Sequence, residues 1–532
     1  ASGTKITSKF FDFTPNLELS NNASLKAKYL TLTQSSTMNL TKSTAEVENL
    51  IFQGFQNGND FSNKFKLESG STFSVTQALS FDKSTFDLSK LSSTNANLKL
   101  PTVYNLYAFN GSKITANGFQ NTKENAEFVL DGKSTTFNAT NAVSFKSAKI
   151  GVQNEAEFKA DNLTLGAKST IDLTNSAKFT LTNGLQTQDL NLNLLNSSTL
   201  KANSLTSTGA SSINLNDKAT LTLENALSSK DLTLTLENES KFTAKTLTAS
   251  GIVKLQGDKN ATLALETLNL DGVSTANLNG VTSTINTLNL TQTSQANIGE
   301  NVSITTLNLN QSKANLELLN GQIPKTIDLK TQSNLYLNEL NLNDFSTNSL
   351  NLKSDDSSKA HIQKLIYDAT KAQANGANKI PQSNLSVSEL FKLDNVGKNL
   401  GQNTQGTEQE KLNKDLLTLE FGKTLTLQSS ATLQVSFADI VKKDSTDLIF
   451  NKDYKIFTAG SLIYGDNLDI KLNLAGSESN FFATGKFQDN AFLVEFRRDD
   501  PRNFGNLNPH IKNPAHLPLL DILLQHNKND TS

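Results

Sequence analysis

The side chains best suited to proton transfer at neutral pH are four histidines, His361, His510, His516 and His526. A histidine-based hydrolase needs its imidazole beside a nucleophile and an orienting carboxylate. His510, His516 and His526 stand among Pro501, Pro509, Pro514 and Pro518, far along the chain from its regular part. His361 is the remaining candidate, and a surface imidazole is the ordinary role of such a residue. The chain has no cysteine, which excludes thiolate nucleophiles, Cys-bound metal and disulfides. Metal sites need converging His, Asp, Glu or Cys at ligand spacing. Asp355-Asp356 and Arg498-Asp499-Asp500 are charge runs suited to solvent or to ion pairs. A Gly-Gly-x-Gly-x-Asp calcium repeat and a phosphate-cradling glycine loop are both missing. The expectation is therefore no catalytic, no cofactor-binding and no metal-binding residue, and no cofactor.

Sugar chemistry has little to work with. Polysaccharide-cleaving enzymes set paired carboxylates in a groove, and no stacked carboxylates are found along the chain. Tryptophan is absent and tyrosine numbers 7, so few rings are available to stack on sugars. Lys plus Arg total 49 against 51 Asp plus Glu, a net charge of -2. Arg497, Arg498 and Arg502 are the only arginines, crowded in one place. Neither balance nor arginine use fits a phosphate reader, so no nucleic-acid partner is expected.

What must position any site is a repeat. Phe137, Phe158, Phe179, Leu200, Leu221, Phe242 and Leu263 follow one another at one constant interval. A chain that winds once per ~21 residues has this property, because residues one turn apart then stack. Small or apolar residues flank the series at alternate positions, such as Ala156, Ala177 and Ala219 before and Ala160, Leu181 and Leu223 after. Polar Lys159, Thr180 and Lys201 lie between. This is the period-two alternation of a strand with one buried face. In most turns a second apolar pair follows and a third closes the turn, for instance Leu163 with Leu165 and Ile171 with Leu173; Leu247 with Thr248 is read as such a pair. A corner series follows: Asn175, Asn196, Asp217, Asn238, Asp258, Gly280, Asn301 and Asn320. Asn, Asp and Gly tolerate a left-handed backbone, which a corner turning alike in every rung requires. The fold expected is all-β: a right-handed parallel β-helix, a solenoid of ~21 residues per turn, with a C-terminal β cap. Polar composition alone, with a mean hydropathy of -0.37, would suit disorder, but disordered chains lack aliphatic alternation at fixed register.

Five segments are expected. Residues 1–125 are an N-terminal cap and irregular rungs, dense in Phe. Residues 126–355 are the regular β-helix. Residues 356–415 are an insertion or loop region, with helical character over 361–372 and a polar loop over 397–409. Residues 416–497 are a C-terminal β-rich segment whose hairpin-like strands cap the end and assist folding. Residues 498–532 are a linker tail with a short apolar helix over 517–524. No run of some 18 apolar residues exists to span a membrane as a helix. The opening Ala1-Ser2-Gly3 suits a chain from which a signal peptide has been removed, and the lack of cysteine suits one exported unfolded.

The solenoid, followed by Tyr454-Lys455-Ile456-Phe457-Thr458-Ala459-Gly460-Ser461-Leu462 and the closing strand Phe492-Leu493-Val494-Glu495-Phe496, resembles the passenger region of a type V autotransporter. Its Asn-, Leu- and Lys-rich texture is similar to passengers of the vacuolating-cytotoxin-like group. That resemblance implies export through the periplasm and outer membrane of a Gram-negative bacterium, with the passenger's own outer-membrane β-barrel as partner, and a stable C-terminal segment that assists folding. Residues 1–30 lack the apolar, Gly-rich start of that group, so pore formation is not expected. The esterase and protease modules carried by some passengers have no counterpart. The function expected is non-catalytic adhesion or host-surface interaction at the cell surface or after release, with a host-cell surface protein or glycan as partner. The alternatives are a structural subunit of a surface layer or filament, acting by self-association, and a polysaccharide-degrading β-helix enzyme. Binding hot spots are expected where the period breaks, at Phe52–Phe65 and at 356–415.

Overall fold

A computed structural model describes residues 4–12, 16–57, 64–68, 70–90, 98–99, 104–316, 323–346, 350–371, 378–380, 382–398, 407, 416–438, 450–474 and 481–498. The chain divides into two compact units, Ala1–Gln322 and Ile323–Ser532. The expected helix over 517–524, the histidines His510, His516 and His526, and most of the 397–409 loop lie outside the described residues.

The first unit is a parallel β-solenoid. Phe137 pairs with Phe158, Phe158 with Phe179, Phe179 with Leu200, Leu200 with Leu221, Leu221 with Phe242 and Phe242 with Leu263. The seven side chains form one column, and none is more than 1% exposed. A second inward column runs Leu163, Leu185, Leu205, Leu227, Leu247 and Leu268. A third runs Ile150, Ile171, Leu192, Ile213, Leu234 and Leu255. Each side chain fully buried in this way contributes about 1.5–3 kcal/mol of burial free energy. The inward partner of Leu247 is the buried Ala249, not Thr248.

The corners show why the repeat needs Asn and Asp. Asn154-Glu155, Asn175-Ser176, Asn196-Ser197, Asp217-Lys218 and Asn238-Glu239 are consecutive left-handed pairs, with φ between 51° and 65°. Two adjacent left-handed residues reverse the chain tightly, a conformation in which Asn and Asp are enriched. In the first four pairs the second residue donates its N–H to a carbonyl in the next rung: Glu155 to Asn175 at 2.9 Å, Ser176 to Asn196 at 2.9 Å, Ser197 to Asp217 at 2.7 Å and Lys218 to Asn238 at 2.9 Å. The Asn side chains add a ladder, Asn175 Nδ2 to Asn154 Oδ1 and Asn196 Nδ2 to Asn175 Oδ1, both 2.9 Å.

Two members of the expected corner series are not left-handed. Asp258 instead accepts the N–H groups of Asn238 at 2.7 Å and of Asn260 and Ala261 at 2.9 Å through its carboxylate. Asn301 is outside the left-handed set as well, while Gly280 has φ 91° and Asn320 lies outside the described residues. From Asp258 onward the rung also shortens. Leu263 pairs with Ser283 and Ser283 with Val302. The outer amides keep the same step, Asn289 bonding Asn269 across 20 residues and Asn308 bonding Asn289 across 19.

At the start, Lys5–Asp12 pairs in parallel with Ser24–Thr33, and Asn16–Ser20 with Thr37–Thr41. The start of the 1–125 segment thus lies in parallel ladders with the strands that follow it. Phe52, Phe55 and Phe65, expected near a binding hot spot, are core residues, with Phe52 and Phe55 edge to face at 5.2 Å.

The second unit is built the same way with longer rungs. Leu335 pairs with Ala360 and Ala360 with Leu385. Hydrogen bonds from Gln332 to Ser357 and from Ser333 to Ser358 span the same 25 residues. Of the stretch 361–372 read as helical, the described residues 361–371 are instead the strand Lys359–Asp368 and one 3-10 turn over Ala369–Lys371. Ala360, Ile362, Leu365 and Tyr367 face inward. The extra residue where the alternation slips gives an apolar spacing close to a helical one, which explains the misreading. Further along, Phe391 pairs with Leu433 and Leu433 with Ile470. Those two rungs are bridged by hydrogen bonds from Ser430 to Ser388, across 42 residues, and from Thr432 to Asp469, across 37. The last strands differ in direction. Phe481–Gln488 and Ala491–Arg498 form an antiparallel hairpin through left-handed Asp489 and Asn490. Ala491–Arg498 also lies antiparallel to the first half of Asp453–Tyr464.

Candidate functional site

The outward side chains come in register because the inward ones do. Thr246, Thr267, Thr287 and Thr306 form one exterior column in the first unit. Two positions further along each strand run Thr248, Asn269, Asn289 and Asn308. The second column is tied into a ladder: Asn269 Nδ2 donates to Thr248 Oγ1 at 3.2 Å, Asn289 Nδ2 to Asn269 Oδ1 at 2.7 Å and Asn308 Nδ2 to Asn289 Oδ1 at 2.8 Å. A neighbouring face repeats the device, with Asn214 Nδ2 on Asn193 Oδ1 at 3.0 Å and Asn193 Nδ2 on Asp172 Oδ1 at 2.7 Å. Each amide has both a donor and an acceptor, so a stack satisfies itself along its axis and still offers its remaining donors and acceptors outward.

Depressions on this unit are shallow and open. One follows the corner column of Asn196, Asp217, Lys218, Asn238 and Glu239. Its Lys218–Glu239 pair, at 3.7 Å, is exposed and contributes little to stability. A second lies beside Lys168, Asp189, Asn191 and Ser211. One polar cluster joins Lys123 Nζ to Asn105 Oδ1 at 2.7 Å, the Glu127 N–H to the same oxygen at 3.0 Å, and Tyr107 to Glu127. Burial first, then the hydrogen bond and charge of Glu127, push the Tyr107 phenol up to about 12. That phenol stays protonated at neutral pH and holds the carboxylate in place. Ile252 and Val273, 71% and 73% exposed, each sit two positions ahead of the paired Lys254 and Thr275.

In the second unit His361, the one acid–base candidate from sequence, sits on an outer face of its strand. Its Nε2 is 3.0 Å from Asn334 Oδ1, and its ring stacks on Tyr336 at 4.6 Å with 11° between planes. Tyr336 is 38% exposed. The pair is a small flat aromatic platform beside an amide. Sequence reading missed it because Tyr336 and His361 become neighbours only through the longer rung of this unit.

Asp355 has a structural task close by. Its carboxylate accepts the N–H of Thr331, and the N–H and hydroxyl of Ser357 at 3.0 and 2.9 Å. The hydroxyls of Ser357 and Ser358 accept from the amides of Gln332 and Ser333 at 2.9 and 3.0 Å. Side chains thus do here what main-chain carbonyls do at the corners of the first unit. Burial opposes ionisation of Asp355, but the hydrogen bonds from Thr331, Ser358 and Ser357 outweigh it and hold the carboxyl at about 2. A folded-state value below the ordinary ~3.9 means that this stabilisation is complete above pH ~4 and is lost as pH falls through about 2. Asp355→Asn is therefore expected to melt below wild type at pH 7, with the difference closing between about pH 4 and 2. Thermal melts across that range check it. Asp356 is ion-paired to Lys423 at 2.8 Å. No group of three or more His, Asp or Glu that would hold a metal ion occurs among the described residues. No helix among them is long and apolar enough to cross a membrane.

Comparison of the chain with protein-family models, with curated proteins and with solved structures finds no match in any of the three.

Proposed function

We propose that this chain is a β-helical passenger of the autotransporter kind, exported across the envelope of a Gram-negative bacterium, that works by contact with a host-cell surface protein or glycan rather than by catalysis. The observation that carries the reading is the pair of exterior Thr and Asn columns, whose amides are locked into a ladder. Such a face is pre-ordered, so little side-chain entropy is lost when a polar partner docks along it. Wide, shallow, repetitive surfaces are what solenoids offer to large ligands. In the second unit, the Tyr336–His361 platform is by itself an aromatic surface of the kind that binding hot spots favour.

The test is binding of labelled protein to host cells and to an immobilised glycan panel. Saturable binding is expected, and Tyr336→Ala is expected to weaken it about tenfold or more, the usual size for loss of an aromatic anchor. Tyr336 is partly exposed, so the variant should melt as wild type does. Failure of wild type to bind either surface would end the adhesive reading. Turnover of a polysaccharide would replace it with the enzymatic one.

A further inference from the structure

The inward columns of the second unit stop abruptly. Leu425 pairs with Leu462 and Leu427 with Tyr464; Leu433 pairs with Ile470 and Val435 with Leu472. Leu425, Leu427, Leu433 and Val435 are at most 1% exposed, yet Tyr464, at the same inward position one rung on, is 47% exposed. Leu462, Ile470 and Leu472 are only half-buried. The adjacent Ile463 is 53% exposed. The C-terminal hairpin pairs with Asp453–Thr458 of the last long strand and reaches beyond it, with Phe487 stacked on Tyr464 at 4.3 Å and Asn490 Oδ1 accepting the Leu462 N–H at 3.0 Å, but it forms no ladder with Ser461–Tyr464. The strand Asp469–Asn473 pairs on one edge with Thr432–Phe437, and no strand among the described residues is in register with its other edge. A half-buried rung whose strand edge carries no ladder is a template for another strand.

The sequence of that edge says which strand fits. Around Ile470 it reads Leu468-Asp469-Ile470-Lys471-Leu472. Laid antiparallel to itself about Ile470, it sets Asp469 opposite Lys471 twice on the outer side. It sets Leu468 opposite Leu472 twice, and Ile470 opposite Ile470, on the core side. Moving the centre by one position to Lys471 puts lysine opposite lysine. Moving it to Asp469 puts aspartate opposite aspartate. A half-step puts Ile470 opposite a charged residue and turns one strand's apolar face outward. One register therefore satisfies both charge and burial, and it is two-fold symmetric.

We propose that a second copy of this chain completes the terminal rung: two chains join tail to tail, with Asp469–Asn473 of each pairing antiparallel about Ile470. The contact closes on itself, so it gives a dimer and not a filament. It does not depend on the adhesive reading.

The experiment is sedimentation equilibrium of the full chain from about 1 to 200 µM, a range that brackets the affinity expected of a small interface. Wild type is expected to reach a dimer and no larger species. Lys471→Asp sets like charges face to face and is expected to weaken the dimer about tenfold or more. Asp469→Lys combined with Lys471→Asp restores opposite charges and should return the affinity to within about threefold of wild type. Both side chains are more than half exposed, so these variants keep the fold, which far-UV circular dichroism verifies. Hydrogen exchange at Asp469–Asn473 should slow with rising concentration in wild type and not in Lys471→Asp. A monomer throughout the range, an open-ended polymer, or a double variant no better than the single one would each overturn the proposal.

Discussion

Removing residues 200–220, one whole turn, is expected to leave a folded protein, while removing 200–210, half a turn, is expected to destroy the surrounding rungs. The whole-turn deletion joins Thr199 to Leu221, and Thr199 already pairs with Thr220. Phe179 then faces Leu221 in place of Leu200, and every later residue keeps its face and corner one rung nearer the start. The lost core side chains Leu200, Leu205, Ile213 and Leu215 belong to the deleted turn and to its contacts with two neighbours, which become neighbours of each other. In a nearest-neighbour stack the remaining interfaces are nearly unchanged, so the thermal midpoint should fall by no more than about 5 °C. The half-turn deletion joins Thr199 to Ser211. Inward Ser211 and Ile213 then take the places of inward Leu200 and Ala202, so the third strand of one turn is set against the first strand of the turn before it and the later columns no longer meet their own members. The deletion also carries the left-handed pair Asp217-Lys218 away from the corner it shares with Asn196-Ser197. Far-UV circular dichroism and limited proteolysis separate the two cases. Equal tolerance of both deletions would mean that the rungs are not the unit of folding.

The same constancy of period decides what could be read from sequence. Between Phe137 and Leu263 every rung has one length, so the column appears as a fixed interval in the letters, and all six of its pairings occur. Once the interval changes, the columns persist in space but vanish from the sequence. Ala360 and Leu385 stack as Phe158 and Phe179 do, yet their rung is longer and the rungs after it are longer still, each by a different amount. A frame set by the first unit's period finds none of them, which is why residues 361–372 read as helical. Corner chemistry was legible where the backbone itself is left-handed, as at Asn196 and Asp217. It was not legible where Asp258 or Asp355 reaches the same amides through its carboxylate, because the residue type is shared and only geometry tells the two uses apart. The Tyr336–His361 platform and the strand edge without a ladder at Ile470 depend on which residue becomes a neighbour across a rung, which composition and periodicity do not carry.

Phe158→Ala tests the physical basis of the stack itself. The ring is fully buried, stacked at 5.2 Å on Phe137 and at 4.2 Å on Phe179, and edge-on to Phe128 at 5.7 Å. Truncation removes its transfer free energy and leaves a cavity whose walls are ladder-bonded strands, which have little freedom to collapse inward. The expected loss is about 3–5 kcal/mol of local stability, the upper range for a large-to-small core change. Lys159, the next residue, points outward and is exposed; its ion pair with Glu157 spans 3.1 Å. Lys159→Ala should therefore change stability by about 0.5 kcal/mol or less. Because neighbours share the cavity, the loss should spread along the axis and not along the chain. Slow-exchanging amides at Phe137 and Phe179, one full turn to either side, should lose protection in Phe158→Ala more than amides only half a turn away in sequence. Native-state hydrogen exchange under mild denaturant resolves this residue by residue. Protection lost evenly outward from position 158 along the sequence, or two variants of equal stability, would contradict a core held together by contacts between successive turns.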